Sequence, residues 1–117
     1  MRAAVAEPMI ESELWVSFVS MLRAYAAAAE AHGGVPARVE MAEGALTLVA
    51  GRAALRVECN VATGSGTRTL LRNGTTLMQG SFQLLEDGRI TQGEKAMDLD
   101  HAAIDMVAEL TRAGKKA

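Results

Sequence analysis

Apolar residues recur every three or four positions toward the two ends of the chain and every second position between them. Leu14, Trp15, Phe18, Val19, Leu22, Tyr25, Ala26 and Ala29 form one broad helical stripe. Glu13, Ser17, Ser20 and Ala27 trace the opposite side. The spacing predicts a first helix over residues 8–32. Pro8 is placed in its first turn, where a missing N–H leaves no bond unmade. His32-Gly33-Gly34 and then Val35-Pro36 stop the pattern, and His32 reads as a residue favoured by the negative end of the helix dipole. A second helix is predicted over 98–113, with Asp98 as N-cap and Leu99, Ala103, Met106, Val107 and Leu110 as its buried stripe. Gly114 is assigned the left-handed position that ends it.

Between the helices the period falls to two. Val35, Ala37, Val39 and Met41 alternate with Arg38 and Glu40, then Glu43-Gly44 turns the chain into a strand over 45–49. Leu55, Val57, Cys59 and Val61 alternate with Arg56, Glu58 and Asn60. Thr63–Gly66 is expected as a loop and Thr67–Arg72 as a strand. Asn73-Gly74 calls for a type I′ hairpin turn, which needs positive φ at both central residues. Met78, Gly80, Phe82 and Leu84 then face one side, with Gln79, Ser81 and Gln83 on the other. Asp87-Gly88 leads into a more polar strand from Arg89 to about Lys95. The expected fold class is α+β: helix, an antiparallel meander of five or six strands, helix, with both helices on one face of the sheet. Residues 1–117 form a single domain, with 1–7 and 114–117 expected to be flexible.

Composition narrows the setting. A chain of 117 residues with half its positions apolar can bury a core without disulfides or metal. Only Trp15, Phe18, Tyr25 and Phe82 are aromatic, so Leu, Val, Ala and seven Met must build that core. A net charge of −2 argues against a general nucleic-acid or membrane binder. One cysteine allows no internal disulfide, and neither a secretion signal nor an apolar run long enough for a membrane span is evident. A cytoplasmic location is expected.

Candidate chemistry is sparse. Over residues 37–92 six Arg face five acidic residues, a net of +1, against −3 for the rest. Arg38, Arg56, Arg68, Arg72 and Arg89 are therefore the anion-binding candidates, with Arg38, Arg56, Arg68 or Arg72, and Arg89 expected on the sheet face away from the helices. A solvated face with cross-strand ion pairs explains the same pattern, and no aromatic residue is there to stack on bases. Gly64-Ser65-Gly66, with Thr63, Thr67 and Thr69, could offer amides to an anion but lacks the Lys-Ser/Thr of a P-loop. Asp98, His101, Asp105 and Glu109 share one side of the second helix, where a divalent metal could be held. A solvated helix face is the simpler reading, and no metal is assigned. Cys59 shares a side with Leu55, Val57 and Val61, which predicts an inert buried thiol.

These patterns assign no catalytic residue and no cofactor. The leading expectation is a small, non-enzymatic interaction module that self-associates as a homodimer, with Trp15 at the edge of its helical stripe contributing to the interface. One alternative is a small-molecule-binding protein or enzyme with a pocket between the first helix and the sheet, lined by Met41, Met78, Phe82 and Met106. A second is weak anion or nucleic-acid binding through the arginines, with an affinity that falls steeply with salt.

Overall fold

The computed structural model describes residues 2–31 and 37–115, with side-chain surroundings for 13–31 and 38–114. Helix α1 runs Arg2–Ala31, and seven strands follow: β1 Ala37–Ala42, β2 Ala45–Ala50, β3 Ala53–Asn60, β4 Ser65–Arg72, β5 Thr75–Leu84, β6 Arg89–Gln92 and β7 Lys95–Asp98. Helix α2, Leu99–Lys115, follows β7. The strands form one antiparallel sheet in sequence order, β1 to β7. Every connection is a short turn between neighbours, so the meander needs no crossover.

The architecture is the expected α+β, with one more strand than foreseen. The polar stretch after Arg89 is not one strand but the β6–β7 hairpin, turned at Gly93, whose φ of 65° is left-handed. Asn73 and Gly74 have φ of 53° and 80°, as a type I′ turn demands. Some boundaries differ from expectation. Helix α1 begins at Arg2, so Pro8 lies inside it, where it removes one hydrogen bond from the ladder. Arg2 to Glu7 are part of this helix. Strand β4 begins at Ser65, inside the stretch expected to be loop. The roles suggested for His32 and Val35 lie outside the described residues.

Both helices cover the same sheet face. Leu46, Leu48, Leu55, Val57, Cys59, Leu70, Phe82, Leu84 and Ile90 are buried from the sheet. Trp15, Phe18, Val19, Leu22 and Ala26 meet them from α1, and Leu99, Ala102, Ala103, Met106, Val107 and Leu110 from α2. The alternation in β3, with Leu55, Val57 and Cys59 in and Arg56, Glu58 and Asn60 out, follows the pleat. The Phe18 and Phe82 rings meet edge-on, centroids 6.0 Å apart, and pin α1 to β5. Trp15 is 6% exposed and belongs to this core, so the interface role expected for it is withdrawn.

The close of α2 also corrects an expectation. Gly114 is helical and has no positive φ. A Cβ there would sit 2.6 Å from the Ala50 carbonyl oxygen, so glycine is needed for the close approach of α2 to β2 rather than to end the helix.

Candidate functional site

The arginines divide between the two sheet faces. Arg38, Arg56 and Arg89 lie on the open face, as expected, and each is paired to a nearby carboxylate. Arg38 meets Glu40 at 3.2 Å, Arg56 meets Glu58 at 3.0 Å and Arg89 meets Asp87 at 2.9 Å. Each pair lies two residues apart on one strand or turn, and the carboxylates cancel the charge an anion would seek.

Arg68 and Arg72 are on the other face. The register sets Arg68 opposite Val57 and Arg72 opposite Ala53, both buried against the helices. The expectation that Arg68 or Arg72 points away with the other arginines is corrected. The physical reason is parity: Leu70 is the buried residue of β4, so positions two away share its side. Arg68 reaches across to Glu109 of α2, and both side chains are about four-fifths covered (19% and 21% exposed). This links sheet to helix and draws Glu109 out of the acidic column on α2.

The rest of that column does not converge. Asp98 closes β7 just before the helix, at the N-cap position. His101 and Asp105 stand 3.7 Å apart with both side chains exposed. Among the described residues no group of three or more His, Cys, Asp or Glu is placed to hold a metal ion.

The Gly64–Gly66 stretch uses its amides internally. The N–H groups of Thr63 and Gly64 donate to the Asn60 carbonyl at 3.1 and 2.7 Å, and the Ala62 N–H donates to Asn60 Oδ1 at 3.0 Å. The Ser65 N–H donates to Thr63 Oγ1 at 3.3 Å. Gln83 Nε2 donates to the Thr63 carbonyl at 2.7 Å, fastening the loop to β5. Gly66 lies under the Phe82 ring, where a Cβ would come within 2.3 Å of Cζ. An aromatic side chain lying across a strand glycine compensates for its missing side chain. This loop is a structural tie.

The four apolar pocket candidates are not brought together. Phe82 and Met106 are buried in the core, whereas Met41 and Met78 are 53% and 40% exposed on β1 and β5. Cys59 is buried, as expected. A shallow apolar groove of about 460 Å³ runs instead between the helices, lined by Tyr25, Ala28, Ala29, Ile104, Val107 and Ala108 among others. At one end Tyr25 Oη donates to Asp100 Oδ1 at 3.1 Å, which raises the phenol above its ordinary value of 10.0.

What sequence reasoning overlooked is the second half of the β4–β5 hairpin. Strand β5 pairs with β6 only through Phe82, Gln83 and Leu84, so Thr75–Ser81 has β4 on one side and, among the described residues, nothing paired on the other. Leu77 is 53% exposed there. A signal was present: Asn73 to Leu85 is the longest stretch of the chain without a charged residue. Among the described residues no helix is long and apolar enough to cross a membrane. Compared with protein-family models, curated proteins and solved structures, the chain gives no match in any of the three.

Proposed function

We propose that this protein is a small, non-enzymatic interaction module that acts by self-association, as a homodimer in the cytoplasm. The observation that carries the reading is an open sheet with apolar side chains at its uncovered borders. Val39 and Met41 are exposed on β1, and Leu77 and Met78 on β5. An open antiparallel sheet leaves rows of backbone N–H and C=O groups available to a further strand, which favours pairing with a partner. The polar side chains with chemical potential have structural positions instead: Glu109 holds Arg68, Cys59 is buried, and the arginines of the open face are paired to carboxylates. Those pairs also weigh against the anion-binding alternative.

The test is a native mass spectrum of the full chain at micromolar concentration, backed by sedimentation velocity. A mass near twice 12.3 kDa is expected. A concentration-independent mass of 12.3 kDa would remove self-association as the function. A retained small molecule in the same spectrum would favour the ligand-binding alternative.

A further inference from the structure

Among the described residues, three stretches of the sheet have a free edge: β1, β7, and β5 over Thr75–Ser81. Charged residues on an edge are a common device by which sheets resist the addition of another strand. Strand β1 carries Arg38 and Glu40, and β7 carries Lys95 and Asp98. The free part of β5 carries no charge and no proline. Its residues are exposed throughout, apart from the half-buried Gly80. The one long edge without a guard also presents Leu77 and Met78.

We propose that the β5 edge, Thr75–Ser81, pairs antiparallel with the same segment of a second copy, joining two sheets across a two-fold axis. The proposal rests on the self-association reading and assigns its surface. The occupant follows from the composition of the edge. Full overlap of the seven residues puts the axis at Met78, which then faces its own copy, with Leu77 opposite Gln79 and Thr75 opposite Ser81. No like charges meet, so self-pairing meets no electrostatic penalty. A two-fold joint also covers both copies' open edges in one step and leaves no further β5 edge to propagate.

The local geometry suits this. The β4–β5 register is regular from Met78 to Ser81, opposite Leu70 to Thr67, and its irregularity is confined to Leu77 near the hairpin tip. The edge is about 23 Å long at the usual rise per residue. A joint of this length buries an area at the low end for specific complexes, the size range of weak and transient association.

The experiment compares the full-length wild type with Met78→Lys, Met78→Glu and Met41→Lys by sedimentation velocity over a concentration series, with circular dichroism to check folding. Both Met78 and Met41 are exposed, so these changes leave the core intact. Each Met78 variant alone is expected to dimerise about tenfold or more weakly, because it sets like charges against each other across the axis. An equimolar mixture of the two is expected to regain a mixed dimer. Met41→Lys, on the guarded β1 edge, is expected to leave dimerisation unchanged. Wild-type-like dimerisation of both Met78 variants, or its loss in Met41→Lys, overturns the β5 assignment while self-association stands. A wild type that stays monomeric at every concentration removes both. A chain of another sequence found bound along this edge overturns the choice of a second copy.

Discussion

Gly66 and Gly114 set distances that no other residue permits. A Cβ on Gly66 would lie 2.4 Å from the Glu58 carbonyl oxygen as well as against Phe82, and one on Gly114 would strike Ala50. In an exposed helix, glycine to alanine gains about 1 kcal/mol. At Gly114 the sign reverses, because the obstacle is backbone and cannot rotate away. Gly114→Ala is expected to lower stability by about 1–3 kcal/mol, and Gly66→Ala by at least as much. Urea denaturation checks this, and a stabilised Gly114→Ala would contradict the close approach. Tyr25 offers a second test at this scale, since it is the only tyrosine. Its hydrogen bond to Asp100 is the largest cause of the raised phenol pKa, followed by desolvation and the nearby negative charge. The neutral phenol is favoured in the folded state. The resulting stability is therefore complete below pH 10.0 and lost as pH rises through the folded-state value. The near-ultraviolet phenolate titration of the native protein should have its midpoint above 10.0, and Asp100→Asn should bring it back toward that figure.

Among elements, β4 and α2 are joined by a polar tie. Arg68 occupies a position on the helix side of β4 opposite the buried Val57, and Glu109 supplies the opposite charge. Removing one partner leaves the other partly buried and unpaired, so Glu109→Gln is expected to cost about 1–2 kcal/mol. Replacing both, as Arg68→Met with Glu109→Leu, should recover most of that loss. A double-mutant cycle with no coupling energy would show that the pair contributes nothing. This tie was not legible in the sequence. Arg68 and Arg56 look alike there, each one position from a threonine or a strand hydrophobe, and the side that each takes depends on which neighbour in its own strand is buried.

For the molecule as a whole, α1, the sheet and α2 share one continuous core cluster, which makes independent unfolding of either helix unfavourable. The single tryptophan, Trp15, is inside it. Its fluorescence and the far-ultraviolet circular dichroism should therefore report one coincident unfolding transition at a fixed protein concentration. Separated transitions would mean that α1 packs independently. The accessible surface, 6733 Å², exceeds the roughly 6,100 Å² expected from mass alone. The long axis of 53 Å against 26 Å in the other directions accounts for that excess. Periodicity was enough to place both helices, most strands, the type I′ turn and the buried side of β3, because each of these is set by residues close in the chain. It could not show that β6 stops short along β5, that Arg68 meets a carboxylate forty-one residues away, or that Gly114 touches β2. Those depend on strand lengths and packing distances between segments far apart in the chain, and they come into being only when the layers close on one another.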